Sequence, residues 1–363
     1  MRGRSQPQGA LFHYFRIEDR IPASHPLRAI KARADAALRE LAPTFAAMYA
    51  ERGRPSIPPE RLLKSQLLIA LYSVRSDRLF CETLEYHLLF RWFLDMDPEE
   101  PAFDASTFSK NRERLLEHAV APRFFDAVVR QARAAGLLSD EHFSVDGTRI
   151  EAWASLKSLR PRDGVAREPP DDPGNPSVDF HGERRRNATH QSTTDPEARL
   201  SKKGRGREAK LCFAGHALVD NRHGLCVDVA VTAATGTAER DAAEALLRRQ
   251  ARKRVRPGTL GADKGYYTRR FVHGLRVRGI RPHIAPIAGR RTPGLDGRTT
   301  RHRSFALSQR RRKLAEEFFG WGKTVGGLRK TRFRGVVRTG WYAFWVAAAY
   351  DLLRMVRLVP APG

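Results

Sequence analysis

The spacing of apolar residues along the chain changes near residue 138. Before that point apolar residues recur at a helical period, which predicts helices over 29–48, from Pro58 to 71, over 79–93 and over 108–116. After it, short apolar runs predict strands over 142–150, 210–219, 225–232, 258–262 and 283–287. Helical periodicity returns over 237–251, 269–278 and 308–325. This order predicts an α/β fold, in which a mixed sheet is flanked by helices.

The same pattern divides the chain into parts. We expect an all-helical N-terminal domain over 1–138, a sheet domain over 139–340, and a C-terminal helix over 341–358 that packs on the sheet domain. Within the sheet domain, residues 159–207 are rich in Pro, Gly, Asp and Arg and contain few large apolar residues. Such a segment buries little apolar surface, so it predicts a flexible insertion.

The charge of the chain indicates its partner. Sixty-six Lys and Arg residues against 40 Asp and Glu residues give a net charge of +26. An excess of this size opposes compaction unless a polyanion neutralises it, so nucleic acid is the leading candidate and an anionic membrane the second. The most apolar run, 341–350, is too short to span a bilayer. With three cysteines and no signal-peptide pattern, the sequence predicts a cytoplasmic protein that is not inserted in a membrane.

The N-terminal part contains one candidate for a nucleic-acid reader. Asp104 is placed to cap a basic helix that carries Lys110, Arg112 and Arg114. A capped basic helix after a loop is compatible with a helix-turn-helix motif, although most capped helices bind no nucleic acid.

Four residues around the second and third predicted strands have the chemistry of zinc ligands, and they are Cys212, His216, His223 and Cys226. The same stretch predicts a hairpin with its turn at residues 221–224. Strand pairing accounts for the pattern without a metal, so we favour the hairpin.

Two aspartates are candidates for a functional site. Asp146 in FSVDGT and Asp263 in GADKGY each follow a short apolar run and precede a turn signal. A strand that ends in this way delivers a carboxylate to the rim of a sheet, so we expect both side chains to converge there. Neither motif is specific by itself, because both are ordinary turn sequences.

The helix over 308–325 supplies a third carboxylate. Its apolar face leaves Arg312, Glu316 and Lys323 together on the opposite face. Glu317 lies at the margin of the apolar face, so geometry alone does not choose between the two glutamates. A solvated ion-pair face is the simpler interpretation of this trio. The alternative is a metal ligand flanked by phosphate-binding cations.

Three carboxylates on two strands and a helix are able to hold two divalent cations about 3.5–4 Å apart. Hard oxygen ligands favour Mg²⁺ or Mn²⁺ over zinc. Such a pair suits phosphodiester chemistry, because the transition state gathers charge on oxygens that are already negative.

Three segments of the chain resemble the catalytic blocks of bacterial insertion-sequence transposases with an Asp-Asp-Glu site, in the insertion-sequence-five group. They are FSVDGTRIEAWAS, ADKGYYTRRFV and KLAEEFFGWGKTVGGLRKTRFRG. The resemblance covers most of the chain, since 62–96 is similar to the helical N-terminal region of that group and 216–243 to its second and third strands.

The resemblance implies a ribonuclease-H-like sheet and an acidic triad of Asp146, Asp263 and Glu316. It favours Glu316 over Glu317 because the family has an Arg four residues before the glutamate and a Lys seven residues after it, as Arg312 and Lys323 are here. Many relatives have a tyrosine three residues before that arginine, where this chain has Gln309. This departure concerns the contacts with DNA ends and leaves the metal chemistry unaffected.

The implied partner is double-stranded DNA, as terminal inverted repeats and as target, bound by a homodimer in the synaptic complex. We expect Arg312, Lys323, Lys264, Arg329 and Lys330 to contact DNA, and the N-terminal domain to recognise element ends. The expected activity is metal-dependent hydrolysis at those ends followed by strand transfer. The alternatives are a metal-dependent nuclease of the same fold and a non-catalytic regulator derived from a transposase.

Overall fold

The computed structural model describes residues 14–49, 56–139, 141–163, 179–180, 183–202, 204 and 206–359. The part before residue 140 contains helices only, among the residues described. They are α1 (Ile17–Arg20), α2 (Pro26–Met48), α3 (Pro59–Leu71), α4 (Asp77–Leu84), α5 (Leu88–Phe93), α6 (Ala105–Glu117) and α7 (Val120–Ala134). Proline in the first turn starts α2 and α3, and the Asp104 side chain caps α6 by accepting from the Thr107 amide.

The single helix predicted over 79–93 is wrong, because two helices, α4 and α5, cover that segment. The buried guanidinium of Arg91 explains the break. It donates to the carbonyl oxygens of Glu85, Asp97 and Glu100. The Glu85 carbonyl, in the turn between the two helices, thus binds a buried cation instead of a helical amide.

Ten strands follow. They are β1 (His142–Glu151), β2 (Leu159–Pro161), β3 (Asp179–Phe180), β4 (Glu183–Arg184), β5 (His190–Ser192), β6 (Arg199–Lys202), β7 (Ala209–Asp220), β8 (Cys226–Ala233), β9 (Thr259–Ala262) and β10 (Arg281–Ile284). Six of them form one mixed sheet, with β10, β9, β1 and β7 side by side and both β6 and β8 on the far side of β7. The pairs among β1, β7, β8 and β6 are antiparallel, whereas β1, β9 and β10 run parallel.

This pairing decides which ends of the strands share an edge. Because β1 and β8 are each antiparallel to β7, they point in the same direction. Strand β9 is parallel to β1. The carboxyl ends of β1, β8 and β9 therefore lie toward the same edge of the sheet, which is where the candidate site is found.

Six helices accompany the sheet in the described part of the chain. They are α8 (Ala238–Arg252), α9 (Arg269–Val277), α10 (Gly297–Thr300), α11 (Arg303–Arg311), α12 (Lys313–Thr324) and α13 (Val336–Leu358), with short 3₁₀ turns at Leu156–Ser158 and Lys264–Tyr266. The mixed sheet flanked by helices is thus confirmed.

The single long helix predicted over 308–325 is wrong in two respects. It begins earlier, at Arg303, and it is interrupted at Arg312 between α11 and α12. At the interruption the Ala315 amide bonds to the carbonyl of Arg312, which is a three-residue step in place of the four-residue step of an α-helix. The resulting change of direction lets α11 follow the parallel strands while α12 crosses β1 and β7.

The insertion predicted over 159–207 is more ordered than its composition suggests, where it is described. Strand β2 pairs with β5, and β6 extends the main sheet by pairing with β7. Asp195 and Glu197 accept hydrogen bonds from the amides of Gly335 and Val336, at the start of α13. Residues 164–178, 181–182, 203 and 205 lie outside the described part, so the prediction of flexibility there is not addressed.

Helix α13 packs on more of the molecule than predicted. It begins at Val336 rather than residue 341, and it contacts β7 and β8 as expected. It also packs against α2, α3 and α7, with Trp345 against Phe124 at a ring-centroid distance of 5.0 Å. The helical region and the sheet therefore share one hydrophobic core. No helix in the described ranges is long and apolar enough to cross a membrane.

Candidate active site

Asp146 and Asp263 occupy equivalent positions on neighbouring parallel strands. The last residue pair between β1 and β9 joins Ser144 to Gly261. Each aspartate lies two residues beyond that pair, and adjacent strands are about 4.8 Å apart. Both side chains therefore leave the sheet at the same height along its edge, as the sequence predicts.

The Asp-Gly pair does not end the first strand. Strand β1 continues to Glu151, because β7 stays paired with it as far as Cys212. The rim at Asp146 is formed instead by β9, which ends at Ala262 and leaves the far half of β1 open on that side. Asp146 thus lies in the middle of a strand, beside the end of its neighbour.

The environment of Asp146 disfavours its charge. Burial is the main cause, and the nearby carboxylates of Asp263 and Glu316 add to it, so that the pKa of Asp146 is raised to about 6. The Gly147 amide, which donates to Asp146 Oδ1 at 2.9 Å, and the charge of Arg312 act in the opposite direction. A bound cation would offset both the burial of this carboxylate and its repulsion by the other carboxylates.

Helix α12 directs its two adjacent glutamates to different partners. Glu316 Oε1 lies 3.2 Å from Arg312 Nη1, and the charge of Glu316 contributes to the raised pKa of Asp146. Glu317 Oε2 lies 3.3 Å from Arg354 Nη1, on helix α13. Arg354 is held in turn by the His223 carbonyl. The two glutamates therefore point to different elements, Glu317 to α13 and Glu316 to the start of its own helix.

Gln309 accounts for the position of α11. Its amide nitrogen donates to the carbonyl oxygens of Ala262 and His283, at the ends of β9 and β10. The Ala262 carbonyl also accepts from the Ala285 amide, just beyond the end of β10. The residue that departs from the family pattern thus ties the helix preceding Arg312 and Glu316 to the strand that carries Asp263.

A groove of about 890 Å³ starts at Asp263 and follows the open half of β1. Two of the predicted DNA-binding residues, Lys323 and Arg329, line it. Lys330 lies beside it, 3.6 Å from the carboxylate of Glu151, and Lys264 is exposed next to Asp263. Three further cations line the groove that sequence analysis did not identify, namely Arg149, Arg207 and Lys210.

Sequence analysis also missed Glu239, in the first turn of α8. It lines the groove near Asp263, open to solvent on one side. Packing on the other side raises the pKa of its carboxyl, and the charge of Asp263 adds to this. The direction of β8 is the signal that identifies Glu239. Because β8 runs parallel to β1, helix α8 begins at the edge of the sheet where Asp146 and Asp263 lie.

Tyr266 is a second residue that the sequence did not indicate. Its side chain is almost completely buried, and its hydroxyl has no hydrogen-bond partner among the described residues. Burial raises its pKa well above the usual value, and the charges of Glu239, Asp146 and Asp263 raise it further. A polar donor is thus buried next to the carboxylates.

The donor chemistry of this edge fits a hard divalent cation, because it consists of carboxylate oxygens without thiolates or imidazoles. Two glycines leave room beside them. A Cβ atom on Gly265 would lie 3.0 Å from Asp263 Oδ1, and one on Gly147 would lie 3.2 Å from Glu239 Oε1. Within the described residues no three acidic, histidine or cysteine side chains are close enough together to hold an ion as they stand. Mutual repulsion of carboxylates favours such a spread arrangement.

The hairpin predicted near the zinc-like residues is confirmed. Cys212 pairs with Glu151 at one end of β7, and Cys226 pairs with Val219 at the other end. His216 is fully buried, with Nε2 2.8 Å from Thr232 Oγ1. Antiparallel pairing thus separates the two cysteines.

The basic helix α6 uses two of its three cations internally. Arg112 forms an ion pair with Asp77 and lies over the ring of Phe333, with 5.0 Å to the centroid. Arg114 lies over the ring of Tyr49 at 5.0 Å, and Lys110 is exposed. The cations of α6 therefore give little support to a helix-turn-helix reader there.

Comparison with known families agrees with this architecture. Residues 140–352 match the model described as "Transposase DDE domain", and residues 15–114 match "Transposase domain (DUF772)". Since the first match spans more than half of the chain, the chain belongs to the DDE transposase domain family. It is a DNA transposase with a ribonuclease-H-like sheet and a helical N-terminal region. Enzymes of this family transfer nucleotidyl groups and generally use a divalent metal ion.

Three solved structures are similar at low identity. The piggyBac transposase synaptic complex with hairpin DNA is 10% identical over 91% of this chain and 75% of that chain, with a TM-score of 0.40. The Mos1 transposase paired-end complex with left transposon end is 11% identical over 77% of this chain and 83% of that chain, with a TM-score of 0.21. A pre-cleavage Mos1 transpososome is 12% identical over 85% of this chain and 81% of that chain, with a TM-score of 0.21. At these scores the fold assignment rests on the strand order and the family match. A search of curated proteins finds no match.

Proposed function

We propose that this transposase belongs to the insertion-sequence-five group and that Asp146, Asp263 and Glu316 form its Asp-Asp-Glu site. Its substrates would be the terminal inverted repeats of its own element and a target duplex. The reaction is hydrolysis at the element ends, followed by attack of the freed 3′-hydroxyl on target DNA. It takes place in the cytoplasm, where bacterial chromosomal DNA lies.

The observation that supports this proposal is the equal position of Asp146 and Asp263 on adjacent parallel strands. Glu316 lies on α12, which packs on β1, and it pairs with Arg312, whereas Glu317 pairs with Arg354. The pKa of Asp146 responds to both other acids, so the three charges are close enough to interact.

These residues would hold two Mg²⁺ or Mn²⁺ ions. When bound, such ions activate an attacking water or hydroxyl and stabilise the leaving oxygen. The protein would contribute the position of the carboxylates, and Arg312 would orient Glu316 through its ion pair. Gln309 would maintain that orientation by fixing α11 to the strand ends.

The groove supports a path for the DNA strand that is cut. Lys323 and Arg329 line it, with Lys264 and Lys330 at its margins, and each would contact backbone phosphates. Arg312 would lie nearest the scissile phosphate. Strand transfer with two element ends requires both to be held together, so we propose a homodimer in the synaptic complex.

Incubating the purified full chain with a DNA duplex bearing the repeats that flank its reading frame, in Mg²⁺ or Mn²⁺, tests the proposal. We expect nicked ends and strand-transfer products. Glu316→Gln should remove both, whereas the matched neighbour Glu317→Gln should keep them. An active Glu316→Gln beside an inactive Glu317→Gln would reverse the assignment. Cleavage without strand transfer would favour a nuclease, and end binding without cleavage would favour a regulator.

A further inference from the structure

We propose that Glu239 is a fourth carboxylate of the metal centre, facing Asp263 across Gly265. This inference rests on the proposed function, since it takes Asp146, Asp263 and Glu316 as the other three acids. It adds a ligand from helix α8, an element outside the two strands and one helix that the sequence motifs identify.

The topology of the sheet brings Glu239 to this edge. Strand β8 runs in the same direction as β1, so the chain leaves it at the edge where Asp146 and Asp263 lie. After a short turn, α8 begins at Ala238, and Glu239 is its second residue. The first turn of a helix favours a negative charge, so a carboxylate is stable there before any cation binds.

Two glycines show how close Glu239 comes to the other acids. A Cβ on Gly265 would lie 3.0 Å from Asp263 Oδ1 and 3.5 Å from Glu239 Oε2, so both oxygens border the same small space. A Cβ on Gly147, the residue after Asp146, would lie 3.1 Å from the Cγ of Glu239. Glu239 thus lies against the backbone next to both aspartates, and any side chain larger than glycine would crowd it.

The hydroxyl of Tyr266 gives independent support. Tyr266 follows Gly265, whose Cβ position borders Asp263 and Glu239, and its buried hydroxyl has no hydrogen-bond partner among the described residues. A buried hydroxyl without a partner is costly, so its position indicates an acceptor that the protein alone does not supply. A water molecule in the coordination sphere of a cation, or a phosphate oxygen, would serve as that acceptor.

The charges of Arg149 and Arg240 lower the pKa of Glu239, but neither guanidinium forms an ion pair with it. The guanidinium of Arg240 donates to the carbonyls of Gly265 and Gly236, and Arg149 Nε donates to Ser201. Within the described part of the chain, Glu239 makes no ion pair. Four carboxylates would balance two divalent cations, whereas three would leave one positive charge. The site therefore has both the space and the charge for Glu239 to take part.

Binding of Mn²⁺ without DNA tests the inference without relying on activity. Titration calorimetry and electron paramagnetic resonance would be applied to the full-length chain as wild type, Glu239→Gln, Glu239→Asp and Asp241→Asn. Asp241 lies in the same first turn of α8 and is half exposed, so it is the matched control. We expect Glu239→Gln to weaken Mn²⁺ binding at least tenfold or to remove one bound ion, Glu239→Asp to be intermediate, and Asp241→Asn to match wild type.

Wild-type Mn²⁺ affinity and stoichiometry in Glu239→Gln would overturn the inference. Asp146→Asn distinguishes this failure from failure of the proposed function. If Asp146→Asn loses Mn²⁺ and Glu239→Gln does not, only the fourth ligand is wrong. If neither loses it, the metal site itself is wrong. Should Glu239→Gln fail to fold, as judged by circular dichroism, Glu239→Asp decides, because unchanged binding in that variant with a shorter side chain would also contradict a direct ligand.

Discussion

Replacing Asp146 with Asn should stabilise the metal-free protein near neutral pH although it abolishes activity. The folded state raises the pKa of Asp146 from 3.8 to about 6, chiefly by burial. A carboxyl with a raised pKa contributes its stability when protonated and loses it as the pH rises through the folded pKa. The asparagine has no charge to bury, and its oxygen still accepts from the Gly147 amide.

The magnitude follows from the size of the pKa change. At about 1.4 kcal/mol per pH unit, a rise from 3.8 to about 6 corresponds to at most about 3 kcal/mol at pH 7 and above. Asp146 retains some contact with solvent, so we expect the free energy of unfolding to increase by about 1–2 kcal/mol. At pH 4 and below, most of this difference should vanish, because wild-type Asp146 is then protonated in the folded state.

Urea unfolding with a chelator, at pH 4 and at pH 7.5, measures this difference. Glu99→Gln, a change at an exposed carboxylate on the helical region, is the control and should match wild type at both values. Adding Mg²⁺ should then raise the stability of wild type more than that of Asp146→Asn, because a ligand stabilises only the state that binds it. The reasoning is refuted if Asp146→Asn is less stable than wild type at pH 7.5. It is also refuted if the difference in the free energy of unfolding between the two proteins is the same at both pH values.

Three further outcomes are expected. Glu317→Gln removes a half-exposed ion pair with Arg354, so it should lower the free energy of unfolding by less than about 1 kcal/mol, as measured by urea unfolding; a loss above about 2 kcal/mol would contradict this. Gln309→Ala should slow end cleavage more than it weakens DNA binding, because it frees α11 from the strand ends; equal losses in the two assays would point to a direct DNA contact. Binding to element ends should weaken steeply with salt, and Arg329→Ala should reduce the log–log slope by about 1; a flat wild-type slope would show that the excess charge serves another purpose.

The sequence predicts the sheet well because apolar runs and turn residues determine strands locally. Strands β1, β7, β8 and β9 lie within about two residues of the predicted bounds. The two broken helices could not be predicted in this way. Their breaks depend on distant partners, namely carbonyls gathered around Arg91 in one case and strand ends that bind Gln309 in the other.

In the candidate site, too, some residues can be identified from the sequence and others only from the fold. Asp146 and Asp263 precede turn signals and are visible in the sequence, whereas Glu239 resembles any acidic residue in the first turn of a helix. Only the strand directions show that α8 begins beside the two aspartates. Strand β6 was missed because an edge strand beside an exposed groove needs little apolar surface, so its four residues look like the rest of the insertion.

The packing of helix α13 limits how far the helical region and the sheet can move relative to each other. One flank of this helix lies on the sheet and the other on α2, α3 and α7, so no surface is left along which the two regions could slide apart without exposing Trp345 and its neighbours. Because the two regions share this packing, we expect no hinge between the helical region and the sheet. Bending the polypeptide there would expose buried apolar side chains such as Trp345, so we expect a large rearrangement during transposition to move the DNA instead.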